Sequence, residues 1–395
     1  MAKRPSAKAA RDYPAIDHDA LNKRFSRIAL LLQGGGALGA YQAGVYEALA
    51  DAGIAPNCVT GVSIGAINGA IIAGNPPQDR IARLRQFWEG VTALPWAMPM
   101  EWEQAFAQGD ALRTMFSQYN STLTAAAGVP GFFKPRVPPP WLEPPGKLEA
   151  TSYYDTTPLR STLEGLIDFD RINAEDELSI GAVNVRSGNF VYFTPATHRI
   201  TVDHVMASGA LPPGFPAVEI DGEHYWDGGL VSNTPLQFIF DTDPQESTLA
   251  FQVDLWSARG RFPRTMREVA TRQKEIQYSS RTRAGVTWLK QMHTLQRAID
   301  ELLPLLPPEL RQSAAAQALD EVGDPHVYNI VELIYRPRNY EGDNKDFEFS
   351  RLTMEEHWKA GMNDTRRTLR HPEIFQHPDG GDGILTFDIT SDGRD

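Results

Sequence analysis

The chain has a single cysteine, Cys58, in 395 residues. A disulfide framework and a multi-thiolate zinc site both need several sulfurs, so neither is available and a reducing, cytoplasmic setting is expected. Net positive charge is also missing: 38 Lys and Arg stand against 50 Asp and Glu, a formal charge of −12. Neutralising phosphates takes a basic face, which argues against a general nucleic-acid binder. A membrane-spanning run is absent too. The longest uncharged stretch, residues 52–78, is broken by Pro56, Asn57, Asn68, Asn75, Pro76 and Pro77 and reads as a buried strand, turn and helix. The N-terminus carries Lys3, Arg4, Lys8 and Arg11 without the apolar segment of a secretory signal, and residues 1–25 are expected to be a mobile tail. What remains is an ordinary globular balance, 42% hydrophobic and 22% charged, long enough for one large domain with an extension.

Arg27–Leu32 (RIALLL) is a short, nearly continuous apolar run, as expected of a parallel strand covered on both faces. It ends in a glycine cluster, after which Tyr41, Val45, Ala48 and Leu49 recur at helical spacing and Gly53 stands where a helix cap would sit. The grammar repeats at once: a strand at 58–62, Ser63 at a turn between Gly61 and Gly65, and a helix at 66–73 stopped by Gly74 and Pro76. Two such units imply a parallel α/β sheet. Residues 79–94 read as a helix. From 95 to about 150 the pattern breaks up, with Trp96, Trp102, Phe106, Phe132, Phe133 and Trp141 and a run of prolines, as in an inserted lid or loop. Strands follow at 178–185 and 189–194, a helix at 203–208, and strands at 217–220 and 223–226 around the turn Asp221-Gly222. Beyond a strand at 249–255, residues 259–297 hold ten basic and two acidic residues and read as a long basic helical segment. A strand at 327–335, a helix at 354–370 and a strand at 384–389 complete the chain.

Two motifs carry chemistry. Gly34-Gly35-Gly36-Ala37-Leu38-Gly39 satisfies the dinucleotide pattern G-x-G-x-x-G between a strand and a helix. That reading needs an acidic residue at the end of the next strand, where this chain has Thr60-Gly61-Val62-Ser63, so the oxidoreductase alternative is weakened. The second motif is Gly61-Val62-Ser63-Ile64-Gly65. Small residues flanking the serine allow a strained strand-to-helix turn that pushes its hydroxyl out of the sheet. At a helix N-terminus the first N–H groups favour negative charge, and glycines in the neighbouring loop can aim further N–H groups at the same oxyanion. Gly34, Gly35 and Gly36 are therefore the candidate hole, Gly35 and Gly36 its donors. A serine also needs a base. None of the nine histidines stands in a marked motif; His224 lies three residues before Asp227, and strand alternation lets only one of the two face Ser63. Asp227 precedes Gly228 and Gly229, which let the chain bend away and leave its carboxylate in a cleft.

Four segments together, residues 34–41, 61–65, 207–216 (ASGALPPGFP) and Asp227-Gly228-Gly229, resemble the patatin-like phospholipase family in order and spacing. The likeness covers about residues 25–255, with 26–255 as the catalytic domain; residues 256–395 resemble a module attached to some bacterial members. The resemblance implies a three-layer α/β/α sandwich with a mainly parallel central sheet and a mixed α/β extension packed on it. It implies a Ser-Asp dyad, with Ser63 as nucleophile and Asp227 as base, the glycines at 61, 65, 228 and 229 in support, and no metal or organic cofactor. Plant patatins carry a basic residue where this chain has Leu38, so the backbone alone must serve the oxyanion.

On this reading the protein is an acyl hydrolase. A carboxylate is normally a weak base, so burial is expected to raise the pKa of Asp227. Phospholipid or lysophospholipid esters are the leading substrates; neutral lipids or short-chain esters, hydroxyalkanoate esters included, are the alternative, and a non-catalytic lipid-binding module is a third reading. The basic segment suggests peripheral contact with anionic lipid, against the plain alternative of a solvated helix with paired charges. Oligomeric state is not legible.

Overall fold

The computed structural model describes residues 13–389 except 15, 98–102, 104–108, 176, 242–244, 280–281, 339, 343 and 378–382. Trp102 and Phe106 of the expected lid, and most of the expected tail, lie outside the described residues. The strands of the main sheet are β1 (Arg27–Leu32), β2 (Cys58–Val62), β3 (Leu178–Asn184), β4 (Phe190–Phe193), β5 (Val218–Ile220), β6 (Glu223–Asp227), β7 (Thr248–Asp254), β8 (Tyr328–Ile334) and β9 (Ile384–Phe387). The helices used below are α1 (His18–Arg24), α2 (Ala40–Asp51), α3 (Ile64–Ala73), α4 (Val202–Ser208), α5 (Met266–Tyr278), α6 (Thr282–Leu302) and α7 (Arg351–Thr368).

The sheet runs β9-β8-β7-β1-β2-β3-β6-β5, with β4 on the far side of β3. The six strands from β9 to β3 pair in parallel, and β4, β6 and β5 are antiparallel additions. Every residue of β1 and β7 is buried, which is why both read as continuous apolar runs rather than alternating ones. Along β1 the pleat still sorts the side chains. Ile28, Leu30 and Leu32 enter a large core with Tyr41 of α2, Ile67 of α3 and Trp358 of α7, while Ala29 and Leu31 enter a second core against Ile239, Ile330 and Leu289 of α6. One sheet between two helical layers is the three-layer α/β/α sandwich that the sequence motifs imply.

Two regions differ from their sequence reading. Residues 18–24 are a helix capped by the Asp17 carboxylate, with Leu21 and Phe25 buried, because this short segment has apolar side chains to anchor it. The residues after 255 do not merely sit on the sandwich: β8 and β9 continue the sheet in parallel from β7, and α7 lies along α2. The two helices touch through small residues. A Cβ on Gly44 would overlap the Trp358 carbonyl, and one on Gly361 would overlap the Tyr41 carbonyl. Gly361→Val should therefore lower unfolding free energy by about 2–3 kcal/mol, read by chemical denaturation; unchanged stability would show that the crossing is not close.

Candidate active site

The register of β3 places the site. β2 pairs with its first half, Val62 opposite Gly181, and β6 with its second half, Asp227 opposite Ala182. Both lie on the edge of β3 away from β4, since β4 overlaps the two of them. β2 and β6 thus run toward each other and meet head-on at adjacent residues of one strand. Where they meet the chain must turn out of the sheet twice, at Ser63 and at Asp227. Ser63 has φ 57° and ψ −124°, a conformation that non-glycine residues rarely hold. The glycines on either side make it feasible: a Cβ on Gly61 would strike the Gly65 carbonyl, and one on Gly65 would strike the Leu32 carbonyl.

The Ser63 and Asp227 side chains face each other across the head of the cleft, close enough that the serine hydroxyl favours the ionised carboxylate. Asp227 is 2% exposed and accepts a hydrogen bond from the Gly229 N–H at 2.7 Å. Burial raises its pKa to about 7, against the opposing pull of those two donors. The alternation along β6 is resolved in favour of Asp227, since His224 faces solvent. Among the described residues no histidine lines the cleft, and no three His, Cys, Asp or Glu side chains gather into a metal-holding group.

The glycine loop crosses beside this pair. Gly34, Gly35 and Gly36 all line the cleft with Ser63, but they are not equivalent. The Gly34 N–H already donates to the Asn233 carbonyl at 3.4 Å, which removes it from the expected hole, and its carbonyl accepts from Asn233 Nδ2 (3.1 Å) and Trp256 Nε1 (3.0 Å). Gly34 is an anchor that presents Gly35 and Gly36. At Gly36 the backbone is left-handed, φ 57°, and the Asp346 carbonyl occupies the place of a Cβ, so no larger residue fits. Gly228 packs on the Gly181 carbonyl. Ile64 opens α3 at the cleft wall, where the first N–H groups of a helix have no intrahelical acceptor.

Four polar residues that the sequence reading passed over hold these parts together. Ser208 ends α4, fully buried; its Oγ accepts from the Ser63 N–H at 2.9 Å and donates to the Gly181 carbonyl at 2.6 Å. Gln33, also fully buried, accepts from the Leu255 and Trp256 N–H groups and donates to Thr234 Oγ1 and the Tyr278 carbonyl. Asn233 donates to that same Tyr278 carbonyl at 2.8 Å. Trp256 donates its indole N–H to the glycine loop. The visible signal was Gln33 itself, an uncharged polar residue directly after an otherwise apolar buried strand.

The cleft encloses about 750 Å³, its open mouth included. Ile67, Phe132, Phe133, Leu159, Leu211 and Phe215 make an apolar wall, so the expected lid segment contributes Phe132 and Phe133, whereas Trp141 is exposed. The region after 255 adds Trp256, Tyr278, Phe347 and Phe349. Burial and the nearby Asp227 charge both raise the Tyr278 phenol.

Comparison with known proteins identifies this arrangement. A family model described as patatin-like phospholipase matches residues 30–239, just over half of the chain. The chain belongs to the patatin-like phospholipase family. A second model, described as patatin phospholipase, matches residues 276–381. Similar proteins include patatin-like phospholipase domain-containing protein 7 of Mus musculus, 45% identical over 69 residues, and that of Rattus norvegicus, 43% identical over 68. Each match spans 17% of this chain and 5% of the relative's length. VipD from Legionella pneumophila aligns over 92% of this chain and 72% of its own, with 15% identity and a TM-score of 0.38.

Two outcomes test the geometry. Below its ordinary pKa of 3.8 Asp227 is neutral in both folded and unfolded chains; as pH rises toward about 7 only the unfolded chain loses the proton. Its burial therefore costs stability progressively across that window and fully above it. Asp227→Asn should raise stability at pH 8 by up to about 4 kcal/mol and leave it nearly unchanged at pH 4, read by thermal unfolding at both pH values. Ser208→Ala strands the Ser63 N–H and the Gly181 carbonyl. It should cost about 1–3 kcal/mol and slow phosphonate labelling of Ser63 without lowering the final extent; normal labelling rates would dismiss the staple.

Proposed function

We propose that the protein hydrolyses acyl esters of phospholipids or lysophospholipids through an acyl-Ser63 intermediate, with Asp227 as the base. The observation that carries this reading is the placement of the Ser63 side chain beside a buried carboxylate at the head of an apolar cleft. The serine oxygen attacks the ester carbonyl while its proton passes to Asp227, whose raised pKa suits it to that transfer near neutral pH. The Gly35 and Gly36 N–H groups and the start of α3 stabilise the tetrahedral oxyanion. Collapse expels the alcohol, which takes the proton from Asp227. Water, deprotonated by the same carboxylate, then attacks the acyl-enzyme, releasing the fatty acid and restoring Ser63. The apolar wall accommodates the acyl chain. The reaction draws on no cofactor.

A neutral-lipid or short-chain ester substrate is the second reading, favoured by one feature: no Lys or Arg side chain stands among the described residues lining the cleft, where a phosphate would seek one. A panel of nitrophenyl esters of graded chain length, with phosphatidylcholine and lysophosphatidylcholine, distinguishes the two. Ser63→Ala and Asp227→Ala, each shown to be folded, should lower kcat/KM by at least about a thousandfold. The wild-type profile should rise with pH through about 7 as Asp227 ionises. Activity surviving Ser63→Ala, or preference for nitrophenyl butyrate over both phospholipids, overturns the leading reading.

A further inference from the structure

The basic segment is not the single helix its charge pattern suggests. It is a coil, then α5, then α6, and much of its charge is already engaged. Lys274 pairs with Asp346 at 2.8 Å, Arg272 with Glu275 at 3.1 Å, and Lys290 donates to Thr386. Arg259, Arg261 and Arg264, just before α5, are exposed, Arg259 near enough to Glu332 to act on its charge. Between and beyond them stand Phe262 (90% exposed), Met266 (82%), Val269 (41%) and Ile276 (53%). At 100° per residue, Met266, Val269 and Ile276 fall within an arc of about 80°. The opposite face of α5 carries the buried Glu275 and the half-buried Tyr278, which lines the cleft. α5 thus turns three apolar side chains to solvent, interleaved with the uncharged Gln273 and Gln277, while Glu275 faces the protein. Leu230 and Val231, directly after the cleft-lining Gly229, are exposed as well.

We propose that this face, the coil at 259–264 with the outer side of α5, seats the enzyme on an anionic lipid bilayer with the cleft mouth at the surface. Apolar side chains enter the interface while the arginines meet acidic headgroups, the two contributions by which interfacial helices bind. A second copy of the chain fits less well. A two-fold interface sets the same patch against itself, which would oppose three arginines with the same three. The one exposed carboxylate of α5, Glu268, is spent on the helix start, accepting from the Arg264 N–H at 2.5 Å. That the bilayer also holds the substrate rests on the hydrolase reading above; the docking itself does not.

The test is flotation of the full-length Ser63→Ala protein, which leaves the lipid intact, with phosphatidylcholine vesicles lacking or containing about a third phosphatidylglycerol. Binding is expected on the anionic vesicles only and should fall as salt rises. Arg261→Gln with Arg264→Gln should weaken it roughly fivefold per arginine, and Met266→Asp with Ile276→Asp should abolish it. In the Ser63 parent, all four substitutions should leave hydrolysis of a soluble nitrophenyl ester at the parent rate. No flotation, flotation indifferent to these substitutions, equal binding to neutral vesicles, or a dimer in sedimentation that Met266→Asp dissociates would each overturn the proposal. Flotation that behaves as expected in a protein without esterase activity would uphold the docking face and defeat the hydrolase reading.

Discussion

One strand carries the burden of alignment. Because β2 and β6 abut along the same edge of β3, the relative position of Ser63 and Asp227 is set by the covalent step from Gly181 to Ala182. Backbone pairing fixes such a distance more tightly than loops can. Ser208 adds a stitch at the same point, tying the N–H of one turn to the carbonyl of the shared strand. A one-residue slip of β2 or β6 alone along β3 would displace one member of the pair by about 3.3 Å and turn that strand's side chains to the opposite face.

The pair is held at a local cost. Ser63 sits in a backbone conformation few residues tolerate, and Asp227 is taken out of water with no Lys or Arg among the described residues lining its cleft. Both are typical of places where chemistry is placed ahead of stability. The surrounding fold absorbs that cost: β1, β2 and α3 are almost wholly buried around the site. The Gly34 loop is likewise fixed from three directions, by Asn233, by Trp256 and, through Gln33, by the start of the C-terminal region.

The elements legible in the sequence are those whose pattern is local. β1 and β2 match their apolar runs residue for residue, and α2 and α3 begin within two residues of where the spacing places them, because period and turn chemistry are written into adjacent positions. The motif positions also come together in one cleft. What could not be read is what depends on distant pairing. Nothing near Ser208 in the chain announces Gly181, and nothing in the polar sequence of α5 shows that Tyr278 will reach the glycine loop. The basic segment divides into two helices where one was expected, and which of its charges are paired, here with Asp346 and Glu275, is not written in the local sequence.

β7 is among the most deeply buried strands in the molecule, yet it lies at the end of the portion that carries the motifs, and β8 covers its outer side along seven residues. A protein cut after β7 would turn an interior strand into an open border, with a row of N–H and C=O groups and apolar side chains facing water. Such a border recruits other chains. The C-terminal region is in this sense a shield for the sheet that carries the motifs, and its removal exchanges an interior for a seam along which molecules associate.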